Sequence, residues 1–134
     1  MDRSQGRVLW PQNGAAEPCL YLTTLGRRSG RPHRIEIWFA VRDGRAYMLS
    51  GGRDRSDWVR NMMANPRVTV ELAGETHAAI ARVLEPNTAE DQLARELLVA
   101  KYAHAEEDLD EWGRSSLPVV LAFFTSANDQ TTEL

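Results

Sequence analysis

A glycine-bounded basic turn, Gly-Arg-Arg-Ser-Gly-Arg-Pro at residues 26–32, carries the densest group of ligand-binding side chains in the chain. Its two glycines allow the backbone to bend tightly and bring N–H groups together. Ser29 adds a hydroxyl, and the guanidinium groups of Arg27 and Arg28 can each hold a phosphate or carboxylate through two hydrogen bonds. The turn is therefore predicted to bind an anion, and a solvated basic hairpin loop is the alternative interpretation.

A second candidate site is the Ser50-Gly51-Gly52 segment, which precedes a short helix that carries Trp58. Backbone without side chains can lie against a planar ring, and amides near a helix start favour anions. Glu36 and Trp38 lie on the side of a predicted strand opposite its aliphatic residues, where they either line a pocket or face solvent on a barrel exterior. An ordinary loop is the alternative interpretation of the serine-glycine segment.

Several other chemistries are excluded or disfavoured by the residue types present. Cys19 is the only cysteine, so an intrachain disulfide and a four-cysteine metal site are both excluded, and the thiol is predicted to fill core space. The three histidines lack the spacing of a metal site: His33, His77 and His104. No Ser-His-Asp or Cys-His arrangement is readable.

The charge of the chain is unevenly distributed around a net value of −3. Residues 27–60 contain nine arginines and four acids, whereas residues 85–111 contain nine acids and only Arg95 and Lys101 as basic residues. The first region supports an anion site, and the second is typical of a solvated acidic face. The arginines have no interleaved aromatic platform and the whole chain is acidic, which disfavours nucleic acid as a ligand.

Hydrophobic periodicity predicts six strands and two helices. The strands are expected over residues 20–25, 34–41, 45–49, 67–72, 77–84 and 117–124. One helix is expected from Ser56 or Asp57 to Asn65, with Trp58 and Met62 on one face, and another from Thr88 to about Tyr102. The apolar side of the second helix is expected to consist of Leu93, Leu97 and Ala100. Hairpin connections favour an antiparallel, barrel-like sheet, because closure removes exposed strand edges.

The length of 134 residues predicts a single domain, residues 1–134, with an N-terminal extension over residues 1–16 and a frayed tail over residues 125–134. Hydrophobic residues make up 43% and charged residues 26%, which is the balance of a soluble globular protein. The N-terminus has no apolar run of the length that a signal peptide or membrane span requires, so a cytoplasmic location is expected.

An ordered set of motifs resembles the deazaflavin-dependent nitroreductase family. The motifs are Leu22-Thr23-Thr24-Leu25 followed by the 26–32 turn, Asp43-Gly44, Ser50-Gly51-Gly52, Asp57-Trp58 with Asn61, and Ala64-Asn65-Pro66, with a weaker match at Leu117-Pro118-Val119-Val120. The resemblance implies a mainly β split barrel with peripheral helices, like that of the pyridoxamine-phosphate oxidase superfamily. It also implies coenzyme F420 as cofactor, an 8-hydroxy-5-deazaflavin with a phosphate and an oligoglutamate tail.

The residues that would hold this cofactor follow from the same resemblance. The phosphate and acidic tail would meet Arg27, Arg28, Ser29 and Gly30. The ring would be flanked by Glu36, Ile37, Ser50, Gly51 and Gly52. The helix start would contribute Trp58 and Asn61. Ser50 is also a candidate proton donor to the substrate, and water is the alternative source of the proton.

The implied activity is that of an oxidoreductase, in which reduced F420 gives a hydride to a quinone, an enone or a nitro compound. Two departures bear on the substrate: no lysine precedes the Gly51-Gly52 pair, and only Tyr102 remains of the tyrosine cluster found in members that reduce nitroimidazoles. Three alternatives stay open: an FMN-binding reductase or oxidase, a non-catalytic flavin or deazaflavin carrier, and an interaction module for an acidic partner. Exposed edge strands would also permit a homodimer.

Overall fold

The structure, a computed structural model, describes residues 9–104 and 109–124. In chain order its elements are β1 (Leu20–Leu25), β2 (Pro32–Ile37), β3 (Ala40–Arg42), β4 (Arg45–Ser50), α1 (Asp57–Ala64), β5 (Arg67–Leu72), β6 (Glu75–Val83), α2 (Ala89–Tyr102), α3 (Asp110–Ser115) and β7 (Leu117–Phe123), with single 3₁₀ turns at Gln12–Gly14 and Arg53–Arg55. Within these two ranges, no helix is long and apolar enough to span a membrane.

The strands pair in one antiparallel sheet in the order β2-β1-β5-β6-β7-β4-β3. Strands β2 and β3 lie at its opposite edges, yet only Trp38 and Phe39 separate them in the chain. Three peptide steps of 3.8 Å place Ile37 and Ala40 at most roughly 11 Å apart, so the sheet must curl until its edges approach. The predicted antiparallel split β-barrel with peripheral helices is confirmed, with seven strands instead of six.

Two hydrophobic clusters hold the barrel and its helices together. The larger one contains alternate residues of the curled sheet, such as Leu20, Met48 and Val70, together with Met62 of α1. The smaller one lies between the sheet and α2, where Leu98 packs with other buried apolar residues. Burying a side chain of this size contributes about 1.5–3 kcal/mol, so these contacts fix α1 and α2 against the sheet.

The prediction of a single strand over residues 34–41 is wrong, because the chain leaves the sheet at Trp38 and Phe39. The hydroxyl of Tyr102 on α2 accepts a hydrogen bond from the Phe39 N–H and donates to either the Phe39 or the Pro18 carbonyl, at 3.0 and 2.9 Å. The ammonium of Lys101 donates to the same Phe39 carbonyl at 2.9 Å. These partners replace the strand pairing that Phe39 lacks, which is a tertiary effect that local periodicity does not report.

The helices also differ in detail from the sequence prediction. Helix α2 begins as predicted, with the Thr88 hydroxyl accepting from the Asp91 N–H at 3.1 Å. Its buried side is formed by Ala94, Leu98 and Tyr102, while Leu93 and Leu97 are half-buried, so the predicted apolar side is rotated and Ala100 is exposed. The prediction allowed for two or three peripheral helices, and the short helix α3 is the third, in the region where the acidic residues were interpreted as a solvated helix face without bounds.

Part of the predicted N-terminal extension is packed on the barrel. Trp10 donates from its indole N–H to the Leu72 carbonyl at 2.9 Å, and its ring stacks on His77 at 3.9 Å between centroids. Residues 1–8, 105–108 and the tail from residue 125 lie outside the described residues, so the predicted fraying stays a prediction.

Candidate functional site

The turn between β1 and β2 is closed by short-range hydrogen bonds. The Gly26 N–H donates to the Arg31 carbonyl and the Gly30 N–H donates to the Gly26 carbonyl, both at 2.8 Å. Gly30 has a φ of +72°, a conformation that glycine adopts without steric cost. A Cβ at Gly26 would lie 2.6 Å from the Ser29 hydroxyl oxygen and 2.8 Å from Nε2 of His33. Glycine at position 26 therefore allows Ser29 and His33 to close over the turn.

A cleft of about 190 Å³ opens beside this turn, and we call it the anion cleft. Its lining combines the turn, the following strand and the start of α1: Gly26, Arg27, Arg28, Ser29, His33, Asp57 and Asn61. The structure thus brings together four residues that the sequence predicted to bind cofactor, namely Arg27, Arg28, Ser29 and Asn61. Gly30 shapes the turn but is not among the lining residues.

Arg27 is held in place by α1. Its backbone N–H and its Nη1 both donate to Oδ1 of Asn61, at 3.1 and 2.8 Å, and its Nη2 meets Oδ1 of Asp57 at 3.3 Å. Asn61 is 3% exposed, and its Nδ2 donates to the hydroxyl of Thr24 on β1 at 3.1 Å. Both functional groups of the Asn61 side chain are therefore occupied within the protein.

Arg28 contrasts with its neighbour Arg27. It lines the anion cleft, is exposed, and has no hydrogen bond or ion pair to any other residue in the described part of the chain. A guanidinium without a protein partner retains its donors for a ligand. The two arginines of the turn therefore have different environments, a distinction that their adjacent positions in the sequence do not reveal.

The serine-glycine segment leads from β4 into a tightly bonded loop. Ser50 is 2% exposed, and its hydroxyl donates to the Arg53 carbonyl at 2.9 Å and lies 2.8 Å from the Ser56 hydroxyl. Ser56 precedes α1 but makes no side-chain cap to it, contrary to one predicted capping role. Arg53 in turn donates from Nη1 to the Ser115 carbonyl at 2.6 Å, which ties this loop to the end of α3.

Apolar and aromatic residues line a second cleft of about 420 Å³, which we call the aromatic cleft. Its lining is Glu36, Ile37, Trp38, Leu49, Leu109 and Trp112. Trp38 stacks on Tyr102 with centroids 4.0 Å apart and meets Trp112 nearly at a right angle, 87°, at 5.6 Å. These contacts preset two aromatic walls, and a Cβ on Gly51 would lie 3.7 Å from Cδ1 of Trp112.

A smaller space of about 280 Å³ adjoins the aromatic cleft and shares Glu36, Ile37 and Trp38 with it. Here the Cys19 thiol donates to Oε2 of Glu36 at 3.0 Å. Burial, reinforced by the Glu36 carboxylate, raises the pKa of the Cys19 thiol to about 11. The thiol therefore keeps its proton near neutral pH and is a poor nucleophile. It is half-buried at the edge of a cleft, whereas the sequence predicted a thiol that fills the core.

Strand β2 connects the two clefts. His33 lines the anion cleft and Ile37 lines the aromatic cleft, and four residues of extended strand span roughly 13 Å. The surface therefore offers cations and backbone amides at one end and flat apolar walls at the other. Such an arrangement fits a ligand with an anionic tail and a planar ring system.

Five predicted site residues are not among the lining residues of either cleft: Gly30, Ser50, Gly51, Gly52 and Trp58. Trp58 is half-buried and packs against the larger hydrophobic cluster. Conversely, sequence reasoning assigned no binding role to His33, Asp57, Leu109 or Trp112. No periodicity or spacing linked Trp112 to Trp38, because they meet through packing against the same hydrophobic cluster. Over residues 9–104 and 109–124, no group of three or more metal-ligating side chains is found.

Comparisons with known proteins are consistent with this geometry. A family model described as F420H(2)-dependent quinone reductase matches residues 2–123. A protein from Mycobacterium tuberculosis named F420H(2)-dependent quinone reductase is 28% identical over 114 residues, covering 82% of this chain and 74% of that protein. A solved F420-H2 dependent reductase (FDR-A) superposes with a TM-score of 0.64 at 23% identity, covering 78% of this chain and 94% of that one. The structure of the heme storage protein HutZ from Vibrio cholerae superposes with a TM-score of 0.66 at 16% identity, covering 81% of this chain and 82% of that one. Both solved structures therefore have the same fold as this chain.

Proposed function

Because the chain belongs to the F420H(2)-dependent quinone reductase family, we propose that it oxidises reduced coenzyme F420 and reduces a quinone. The family supports the predicted oxidoreductase class and the predicted cofactor. The observation that carries the proposal is the pair of clefts along β2, one cationic and one aromatic.

When bound, the reduced deazaflavin supplies a hydride, which the quinone takes up together with a proton to become a hydroquinone. The protein's part is to bind, to orient and to exclude water. The Arg28 guanidinium and the N–H groups of Arg28 and Ser29 would hold the phosphate and the acidic tail, because the N–H groups of Gly26, Arg27 and Gly30 already have partners in the protein. Hydrogen bonds from the guanidinium and from the N–H groups of Arg28 and Ser29 to an anionic oxygen are charge-assisted and about twice as strong as neutral ones.

The ring would lie in the aromatic cleft, against Ile37 and the backbone of Gly51. Trp38 and Trp112 form walls that limit the access of water to the reacting atoms, and a drier site strengthens the electrostatic interactions within it. Glu36 stands at the junction with the smaller space, where the Cys19 thiol fixes one of its carboxylate oxygens. The aromatic cleft and the smaller space beside it open to solvent, which would leave one face of the ring accessible to the quinone.

The hydrogen bonds of Ser50 favour a positioning role over the predicted role of proton donor. A hydroxyl has a single proton, and that of Ser50 is directed to the Arg53 carbonyl inside the loop. The Ser56 hydroxyl then donates to Ser50. We therefore propose that Ser50 shapes the loop that presents Gly51 and Gly52, and that the proton comes from solvent or from the cofactor itself.

The proposal is tested by mixing the purified protein anaerobically with reduced F420 and a naphthoquinone. We expect oxidation of F420 and formation of hydroquinone in equal amounts, at a rate that depends on protein concentration. The same mixture with reduced FMN instead of reduced F420 is the control. Failure to accelerate the F420 reaction over the protein-free rate would leave only a binding role.

A cytoplasmic location and a homodimer remain predictions for this protein. The exposed edge strand β2 would permit pairing with a second copy. Size-exclusion chromatography with light scattering, over a range of concentrations, tests the dimer directly.

A further inference from the structure

We propose that Asp57 lowers the affinity of the anion cleft, because its carboxylate competes with the anionic part of the cofactor for Arg27. The inference rests on the proposed function, because it concerns how the same cleft receives its ligand. It assigns different roles to three cleft residues: Asn61 positions Arg27, Arg28 is free for the ligand, and Asp57 opposes binding.

Arg27 divides its side-chain hydrogen bonds between a buried partner, Asn61, and an exposed one, Asp57. The Nη1 and the backbone N–H are committed to Asn61, whose own amide is anchored to the buried hydroxyl of Thr24. Thr24 and Asn61 are 1% and 3% exposed, so this inner side of the network is inaccessible to a ligand. On the outer side of the network, Nη2 of Arg27 meets the exposed carboxylate of Asp57.

The contact between Arg27 and Asp57 is weak and exchangeable. Its length of 3.3 Å exceeds the roughly 2.7–2.9 Å typical of a charge-assisted N–H···O bond. The Asp57 side chain is 84% exposed, against 26% for Arg27, so Asp57 can rotate into solvent while Arg27 stays fixed. A phosphate or carboxylate entering the cleft can therefore take the place of Asp57 on Nη2.

The charge of Asp57 also acts against an anionic ligand in the cleft. Among the residues that line the anion cleft, Arg27 and Arg28 are the cations, His33 is the neighbouring titratable group on β2, and Asp57 is the carboxylate. An anionic ligand in this cleft is repelled by Asp57 as long as that carboxylate remains in place. Asp57 thus lowers the affinity of the cleft for every anion, and only a ligand that makes further favourable contacts, such as those with Arg28 and the turn amides, overcomes it.

The test is a fluorescence titration of wild-type protein and the Asp57→Asn variant with oxidised F420. The amide keeps the shape and removes the charge, so the dissociation constant should fall about fivefold at low ionic strength, the upper range for one exposed charge. The gain should disappear in high salt, where exposed charges are screened. Asp54→Asn is the matched control, because Asp54 is exposed, lies three residues earlier and is not part of the cleft lining.

The outcomes separate this inference from the proposed function. Tighter binding by Asp57→Asn, with no change for Asp54→Asn, supports the competition. Unchanged or weaker binding by Asp57→Asn overturns it, and so does an equal gain from Asp54→Asn, which would reflect net charge alone. If the wild-type protein binds no F420, the proposed function fails and this inference fails with it. Equal melting temperatures of the variants exclude altered stability as the cause.

Discussion

The backbone N–H and the Nη1 of Arg27 both donate to the same side-chain oxygen of Asn61, at 3.1 and 2.8 Å. The two residues are 34 positions apart, on the turn after β1 and within α1. This relationship joins the basic turn to the helix beside it and so defines one side of the anion cleft. It also fixes the position of the Arg27 guanidinium, because two hydrogen bonds of Arg27 are made to one buried side chain of the protein.

The Asn61 side chain is expected to support both folding and cofactor binding. Replacing it with alanine removes three hydrogen bonds and leaves the Thr24 hydroxyl without its partner, at a cost of about 1–3 kcal/mol in the free energy of unfolding. Freed from Asn61, Arg27 should lose its position, and the dissociation constant for F420 should rise about tenfold.

The matched control for this variant is Asn65→Ala at the end of the same helix. The Asn65 side chain accepts one exposed hydrogen bond, from the Arg67 N–H at 3.2 Å, away from the cleft. Denaturant unfolding and F420 titration are measured on both variants. If Asn61→Ala binds F420 as well as Asn65→Ala does, Asn61 has no role in shaping the cleft.

Arg28→Ala is expected to weaken F420 binding without changing stability. An arginine-anion hydrogen bond that is partly shielded contributes roughly 1.5–3 kcal/mol, which corresponds to about a 10- to 100-fold higher dissociation constant. Arg28→Lys should recover part of the loss, since an ammonium keeps the charge but not the planar fork. Arg31→Ala is the control, because Arg31 is exposed in the same turn and lies outside the cleft lining. Equal losses for Arg28→Ala and Arg31→Ala would indicate a diffuse charge effect.

Alanine at Gly51 and at Gly52 should have different consequences. A Cβ at Gly52 would lie 2.6 Å from the Ser56 hydroxyl oxygen, so that hydroxyl must leave Ser50, at a cost of about 1 kcal/mol in stability. A Cβ at Gly51 meets Trp112 at 3.7 Å, which is an ordinary contact, so the fold should be retained while the added methyl group weakens ring binding. Thermal unfolding and F420 titration distinguish the two. Unaltered affinity in Gly51→Ala would remove Gly51 from the proposed ring site.

Lys101 should give the protein a stability that rises with pH above pH 8. Burial lowers the pKa of Lys101 to about 8, below its ordinary value of 10.5. Between these values the unfolded chain binds more protons than the folded one, so the free energy of unfolding increases with pH in this window and is flat below it. We expect this rise to be absent in Lys101→Met, measured by denaturant unfolding from pH 7 to 9.5.

The Cys19 thiol has the opposite effect at the upper end of that range. Its raised pKa of about 11 means that the unfolded chain releases this proton first, so stability falls as pH rises above 9. Cys19 is present in both proteins, so its contribution largely cancels when the two pH profiles are subtracted. If the difference in the free energy of unfolding between the wild-type protein and Lys101→Met does not change with pH, Lys101 is not desolvated in the folded protein.

Local sequence signals were sufficient for most elements of the fold and for the basic turn. Strand β5 was predicted to the residue, and the Gly26–Pro32 turn was recognised from its glycines and arginines. The break at Phe39 was not predicted, because its cause is a hydroxyl on Tyr102, 63 residues away. Periodicity reports whether a segment alternates, but it does not report which distant side chain takes a backbone hydrogen bond.

Several lining residues of the two clefts were singled out from the sequence, but their different hydrogen-bond environments were not predictable. Arg27 and Arg28 are chemically identical in the sequence, and only the placement of α1 by the hydrophobic cluster around Met62 gives one of them to Asn61. The aromatic cleft was harder still to predict from the sequence, since Trp38 and Trp112 belong to segments that meet through their packing on α2. Sequence reasoning saw Glu36 and Trp38 as a polar and an aromatic residue on one strand face without a partner.

The central claim, that the paired clefts hold coenzyme F420, is tested most directly by parallel fluorescence titrations with oxidised F420 and with FMN. FMN has one phosphate, whereas F420 has a phosphate and several tail carboxylates, so a cleft formed by the basic turn should favour F420. The account predicts a lower dissociation constant for F420 than for FMN at low ionic strength, with a difference that narrows as salt is added. Equal or tighter binding of FMN under the same conditions would contradict it.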